Sequence, residues 1–467
     1  MTRAPLPGLH EAVTAKKASH SREWKLLVAG CILSGLMVGF GGGPLTWTFA
    51  IGLLAGTAVV VVRADLLHPY TWYTPVFFLY STSYPILVWL EIYREQGFLH
   101  QACLMQWAAL VTFVVVIGPA RRPVVPPLKL LRTLAEPSLP VFCITSVVAV
   151  IYFWYLHGSG FTSKYEILLS SSTLVRIGGP AFSVFTVAFA AILASGFASR
   201  RNPYTAIAVT LVLSLAGVLI AGERDMFLRV VVISVFLVHA LYRRIKAWEF
   251  AFLFLLGVFL VAVSAEVRNV MIVDRPGAFQ FSDPADRILG GEFISAGRNL
   301  EELIEEMERE DLFWGETFWW DIKRTFVPGF LGYSTITPGT WFNERRYPVL
   351  VALGGSHGFT IVGEGYMNFG LTGVVVWFIL LSLMARYLYS LSGRSAFWFL
   401  AYVVSTTLFL YVIRQDFAHL FSQTLKHILF PLLVILAAER VTEKIKSLQA
   451  ATRIRQLRPG GTRPTLP

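Results

Sequence analysis

Charge is scarce in this chain. Of its 467 residues, 15% are Asp, Glu, Lys or Arg, where soluble domains carry about 25%. With 55% hydrophobic residues and a mean hydropathy of +0.60, that shortage excludes an ordinary soluble protein. Cysteine is scarcer still. Cys31, Cys103 and Cys143 lie in or beside apolar runs without metal-ligand spacing. They form no disulfide framework and are read as packing residues. Nucleotide and metal signatures are missing too. There is no Walker A loop, which argues against direct use of ATP. There is no HExxH and no Cys/His cluster, and "GGSHG" at 354–358 resembles a serine-nucleophile motif in letters only. No internal repeat or low-complexity segment is visible, and no cofactor is called for.

Apolar runs, by contrast, fill most of the chain. Each run of roughly 17–25 residues can cross a bilayer as a helix. Twelve are expected, at 26–41, 46–62, 70–92, 104–120, 138–157, 180–198, 204–221, 226–242, 249–267, 360–385, 396–413 and 422–439. The predicted fold is therefore an all-α polytopic membrane protein. The net charge of +11 suggests nucleic acid until its distribution is considered. Cations cluster in alternate short connections: Arg63; Arg121, Arg122, Lys129 and Arg132; Arg200 and Arg201; Arg243, Arg244 and Lys246; Arg386 and Arg394. This is the positive-inside pattern. It puts both termini in the cytosol, which an even number of spans also requires. The polar start, 1–25, has no small-residue cleavage site and reads as a cytosolic basic tail rather than a signal peptide. A second basic tail occupies 440–467.

One connection breaks the pattern. Residues 268–359 separate spans 1–9 (26–267) from spans 10–12 (360–439). They form a large external loop, and a loop of that length is functional or folded. In "ISAGRNLEELIEEMERED", Leu300, Leu303, Ile304 and Met307 recur at helical spacing. Glu301, Glu302, Glu305 and Glu306 take the other face. The stretch "GETFWWDIKRTFVPGFLG" mixes Trp319, Trp320 and cations with apolar residues, as a helix lying in the membrane interface does. A second polar segment, 158–179, is expected along the same surface.

Five places bring ionisable groups to the external membrane edge. The first is "GERDMFLR", with Glu223, Arg224, Asp225 and Arg229. A local ion pair capping a turn accounts for it as well as a ligand site does. Glu223 and Asp225 have an acid-x-acid spacing used by some metal-dependent transferases, but the intervening Arg would repel a cation. The second is the loop's arginines, Arg268, Arg275, Arg287, Arg298, Arg324, Arg345 and Arg346, with Lys323. Guanidinium forks match phosphate geometry. Most of these balance the loop's acids, and Arg345 and Arg346 stand out because an aromatic stretch returns them to the bilayer. The third is "GGSHGFTIVGEGYMNFGLTG", with His357, Glu364 and Asn368. Glu and His are common general bases, the glycines permit a re-entrant approach, and Asn368 follows Glu364 by one helical turn. Helix capping alone would also favour an acid there. The fourth is "VIRQDFAHLFSQTLKH", with Arg414, Asp416, His419, Lys426 and His427. Adjacent basic groups inside a span are hard to explain as packing, unless the span starts later. The fifth, Lys164 with Arg176, is the weakest.

These motifs, in this order, resemble the O-antigen and oligosaccharide repeat-unit polymerases of the Wzy type. "GETFWWDIKRTFVPGF" is followed by "TPGTWFNERRYP" and then "GFTIVGEGYMNFGLTGV", with "IRQD" before the last span. The likeness is residue-specific over 220–230 and 315–373 and topological elsewhere. Gly329 departs from the pattern, standing where a basic residue is expected. The resemblance implies a GT-C-like membrane glycosyltransferase that is metal-independent and inverting. It would join undecaprenyl-diphosphate-linked oligosaccharides at the periplasmic face of the bacterial inner membrane, beside a chain-length regulator protein. On that reading Glu364 is the base and His357 its competitor. Arg224, Arg229, Arg324, Arg345, Arg346, Arg414 and Lys426 bind the diphosphate, and Asn368 orients the base or a sugar. Three other readings compete. A flippase or other transporter would want midplane charges and paired repeats. An O-antigen ligase shares the general plan of spans and loop. A non-catalytic scaffold leaves the Trp- and Arg-rich loop unexplained.

Overall fold

Inside a bilayer only helices and closed barrels satisfy every backbone group, and the apolar runs of this chain fold as helices. The computed structural model describes residues 7–122, 124–159, 173–200, 204–221, 224–272, 285–291, 293–326, 336–352 and 356–456. No strand occurs among the described residues. In chain order the helices are α1 (Pro7–Phe40), α2 (Pro44–Val61), α3 (Pro69–Trp89), α4 (Leu99–Ile117), α5 (Leu128–Arg132), α6 (Ala135–Gly158), α7 (Thr173–Ala198), α8 (Tyr204–Ala221), α9 (Arg224–Leu237) and α10 (Ala247–Ile272). The loop region contributes α11 (Ser295–Met307), α12 (Glu316–Phe326), α13 (Pro338–Arg346) and α14 (Pro348–Ala352). The last four are α15 (Ile361–Leu391), α16 (Ala396–Val412), α17 (Phe417–Thr424) and α18 (Phe430–Gln456), with a π-helical turn at Leu425–Leu429 between α17 and α18.

Each of the twelve predicted segments falls on a helix. Seven helical segments among the described residues are long and apolar enough to cross a membrane: Ser21–Phe40, Pro44–Val61, Leu99–Ile117, Leu128–Gly158, Pro180–Ala198, Ile361–Leu391 and His419–Thr452. Four more are apolar but shorter. The remaining predicted span is α3, where Tyr, Thr, Ser and Pro dilute the apolar residues. The protein is thus an all-helical, multi-pass membrane protein. Large apolar side chains such as Trp154, Val212, Phe252 and Phe259 point outward, over more surface than a soluble monomer exposes. The segment Pro180–Ala198 has 83% of its span buried, so α7 is central. It packs on α6, α16 and the end of the chain. A second seam joins α15 to α4, and Tyr73 of α3 stacks on Phe113 of α4 at 4.1 Å.

The two ends of the bundle differ in charge. Arg121 pairs with Glu23 and reaches the Val61 carbonyl. Arg132 donates to the Ala198 carbonyl, Arg386 to that of Val116, and His239 lies 3.7 Å from Asp65. The cation-rich connections therefore gather at one end. The loop helices sit at the other, anchored by Glu301, which accepts hydrogen bonds from Tyr84 and from the backbone of Gln96 and Phe98.

Two expectations change. The acidic face of α11 is not solvated throughout: Glu301 and Glu302 are buried, because polar groups of the α3–α4 connection and of α13 close over them. The segment 158–179 is helical from Thr173, inside α7; residues 160–172, with Lys164, lie outside the described ones. Glu223, Arg275 and Gly329 also fall outside what is described, and so do the side chains of Arg176, Arg224, Asp225, Arg268 and Arg287.

Candidate functional site

The glycine-rich stretch makes a broken helix. Within α15 the backbone leaves helical geometry at Phe369 (φ −143°, ψ 25°) and Gly370 (φ 60°, ψ −143°). The short arm, 361–368, folds against the long one. A Cβ at Gly373 would stand 1.9 Å from the Gly365 carbonyl oxygen, and one at Gly365 would stand 2.8 Å from the Val374 Cα. Only glycine fits either position. The last carbonyls of the short arm need donors from outside the helix, and the loop before α12 supplies them. Phe313 N–H donates to Met367 at 3.0 Å and Trp314 N–H to Asn368 at 3.2 Å. The Asn368 side chain completes the link: Gly315 N–H donates to its Oδ1 at 2.9 Å, and its Nδ2 donates to Thr317 Oγ1 and the Glu364 carbonyl.

Glu364 is fully buried at the centre of this joint. Its carboxylate accepts from the Phe417 N–H, which starts α17, and from Thr317 of α12 at 3.4 Å. Asp321, one turn after Thr317, lies beside it, 1% exposed. Neither Asp321 oxygen has a hydrogen-bond partner among the described residues. Burial, with Glu364 and Asp416 nearby, pushes the Asp321 carboxyl well above the ordinary carboxylate range, despite Arg324. A protonated Asp321 spares the joint a further buried charge beside ionised Asp416. Asp416 is the N-cap of α17 and accepts from His419 N–H at 2.9 Å and Nδ1 at 2.8 Å, with Gly339 N–H of α13 at 3.4 Å. Burial works against its charge, but the His419 bonds and Arg324 bring it down to about 2. Arg324 therefore acts on both acids, and its charge also reaches Lys426. Lys426 is exposed on the π-helical turn, a geometry common at functional sites.

The Asp321 pair predicts a pH effect. Its folded pKa lies above the unfolded value of about 3.9, so its contribution to docking α12 is full below that value and is lost as pH rises toward the folded pKa. The unfolding temperature of Asp321→Asn, which keeps a neutral side chain there, should gain on wild type as pH goes from 5 to 8. A constant difference between the two proteins over that range would remove the protonated-acid assignment.

His357 belongs to a second patch at the same end of the bundle. It is exposed. Its backbone is held on both sides by Asn343 of α13, through His357 N–H to Oδ1 at 2.7 Å and Nδ2 to the His357 carbonyl at 3.1 Å. Its ring lies 4.3 Å from that of Tyr347. Partial burial and the Arg298 charge lower its pKa, with Glu302 opposing them, so the imidazole is neutral at pH 7. Gly358 joins this patch to Arg414: a Cβ there would be 3.4 Å from the Arg414 carbonyl oxygen. The Arg414 guanidinium lies over the Tyr411 ring at 5.8 Å.

The structure brings Glu364, Asn368, Arg324 and Lys426 into one region, and sets His357 beside Arg414. Arg345 and Arg346 are elsewhere engaged. Arg345 pairs with Glu310 and Glu306 and stacks on Trp341 at 4.6 Å, and Arg346 pairs with Glu305 at 3.0 Å and Glu302 at 3.8 Å. They tie α13 to α11. Arg229, half-buried on α9, comes from a helix that packs against α16. Sequence reasoning passed over Thr317, Asp321, Glu302 and Tyr347 as site residues. Thr317 and Asp321 carried a usable signal, because their spacing of four puts both on one face of α12.

Helical and multi-pass, the chain has the build of a membrane protein whose buried acids and loop cations share one end of the bundle. Residues 335–446 match the family model described as O-antigen polysaccharide polymerase Wzy, and the resemblance read from the sequence stands. The match spans His357, Glu364, Asn368, Arg414 and Lys426, and leaves Arg229 and Arg324 outside. No curated protein and no solved structure matches the chain.

Proposed function

We propose that the protein is an O-antigen polymerase. It joins undecaprenyl-diphosphate-linked oligosaccharide repeat units at the periplasmic face of the inner membrane, by inverting glycosyl transfer without a metal. Both termini are cytosolic and the loop helices periplasmic, and all twelve predicted segments span. The observation that carries this reading is the family match over 335–446, because that stretch contains both candidate bases together with Arg414 and Lys426. The alternation of cation-rich connections, gathered at one end of the bundle, supports the orientation.

His357 takes the role of base. Of the two candidates it is the one open to an acceptor sugar, and it is neutral at pH 7, as a base must be. Glu364 is sealed, with its oxygens bound by Phe417 and Thr317. It would need α12 to lift away. In the proposed step His357 removes the acceptor hydroxyl proton as that oxygen bonds to the anomeric carbon. The bond from that carbon to the diphosphate oxygen breaks, and the oxygen keeps the electron pair. Arg414, Arg324 and Lys426, joined by Arg224 and Arg229, offset the charge that develops on the leaving group. Arg345 and Arg346 hold α13 in place. Asn368 fixes the short arm of α15.

Purified protein supplied with lipid-linked repeat units should release undecaprenyl diphosphate and form products of two or more repeats, with and without EDTA. Activity lost to EDTA and restored by Mg²⁺ or Mn²⁺ would return Glu223 and Asp225 to consideration as ligands. Transfer to lipid A core without growth of the repeat would make the protein a ligase. Arg414→Lys should already lower turnover, since a point charge lacks the bidentate fork. Unchanged turnover in Arg414→Ala removes that residue from the diphosphate site.

A further inference from the structure

Glu302 is 1% exposed, and a buried carboxylate persists only where it is paired and hydrogen-bonded. Its partners converge from three parts of the chain. Arg298 Nε, one turn earlier on α11, donates to Oε1 at 2.9 Å, and Gln96 Nε2 of the α3–α4 connection donates at 3.3 Å. On the other oxygen, the Tyr347 hydroxyl donates to Oε2, and Arg346 Nε stands 3.8 Å away. The ring of that same Tyr347 lies against the imidazole of His357, inclined at 55°. One side chain thus separates Glu302 from the proposed base.

The groups around His357 come from each neighbouring element. Arg298 and Glu302 come from α11, Tyr347 follows α13, and Asn343 of α13 holds only the backbone. Arg414, from the turn between α16 and α17, brings its carbonyl against Gly358. Arg298 disfavours a protonated imidazole and Glu302 favours it. We propose that Glu302 is the positioning residue for His357: it anchors Tyr347, whose ring fixes the imidazole, and its carboxylate pairs with the Arg298 guanidinium beside that ring. This inference rests on the reading of His357 as the base.

The two effects separate by substitution. Glu302→Gln keeps an acceptor for Tyr347 and removes the charge. Tyr347→Phe keeps the ring and the charge and removes the anchor. The His357 midpoint can be read directly, by NMR of protein labelled with ¹³C-histidine, the resonance being assigned through its loss in His357→Ala. In Glu302→Gln that midpoint should move down by about half a unit to one unit, and the acid limb of the pH–rate profile should follow it. In Tyr347→Phe the midpoint should hold while kcat falls several-fold and KM stays put. A midpoint unmoved in Glu302→Gln overturns the electrostatic part, and wild-type kcat in Tyr347→Phe overturns the anchoring part. Tyr347→Phe leaves every Glu302 ion pair in place, so it tests the proposal even if Glu302→Gln fails to fold. Wild-type turnover in His357→Ala, whatever the titrations show, overturns the base assignment itself.

Discussion

His357→Ala is expected to lower turnover on lipid-linked repeat units by about 10²–10⁴-fold, the usual contribution of a positioned base, while leaving thermal unfolding close to wild type. The second half of that expectation follows from what holds the residue. Its hydrogen bonds to Asn343 are made by backbone atoms, which alanine keeps. Its ring is exposed and contacts Tyr347 without carrying a core. Loss of the ring therefore removes chemistry rather than structure. The pH profile follows with a definite sign. The base works as neutral imidazole, so the rate should fall as pH drops through the His357 midpoint and level off above it. That midpoint lies below the ordinary 6.5, because partial burial and Arg298 both disfavour the imidazolium. Glu364→Gln is the companion measurement. Its amide can present oxygen to the Phe417 N–H and nitrogen to Asp321, so the joint survives and turnover should stay near normal. A collapse in Glu364→Gln with near-normal rate in His357→Ala would hand the role back to Glu364 and require α12 to move during turnover.

The membrane architecture was legible because it depends on composition along single segments. Apolar runs and cation-rich connections report on local solvent, lipid or water, and need no knowledge of neighbours. The helix over 295–307 was visible for the same reason, through Leu300, Leu303, Ile304 and Met307. What its acids do was not visible. Glu302 looks like a solvated position until Tyr347 and Arg346, more than forty residues on, fold over it. Arg345 and Arg346 read as free phosphate ligands because their partners, Glu305, Glu306 and Glu310, lie on another helix. Glu364 stood out as an acid at the mouth of an apolar segment, but its burial against Phe417 and Thr317 depends on pairing between α12, α15 and α17 that no local pattern encodes. The glycines fall between these cases. Their number signalled close backbone approach, while the partners of that approach came only with the fold.

Those glycines carry the other large expected effect. Gly373→Ala should lower the unfolding temperature and turnover together. The new Cβ would stand 1.9 Å from the Gly365 carbonyl oxygen, which belongs to backbone and cannot rotate away, so the two arms of α15 must part. Overpacking of this kind costs about 1–3 kcal/mol or more. Parting the arms also pulls Asn368 from Gly315 and Glu364 from Phe417, which is why activity should fall with stability. Gly365→Ala should behave alike, with Val374 and Gly373 backbone atoms within 2.9 Å of the added carbon. Gly370→Ala tests a separate cause. Nothing lies within 4 Å of its would-be Cβ, but φ 60° with ψ −143° suits glycine almost alone, at a cost of about 1–3 kcal/mol for another residue. Gly56 and Gly257 are the controls, since each sits in a helix with nothing within 4 Å. Alanine at either should be neutral or stabilising by about 0.5–1 kcal/mol. Wild-type melting and turnover in Gly373→Ala would mean that the arms of α15 are not held together, and the joint that places Glu364, Asn368 and Asp321 around α12 would lose its basis.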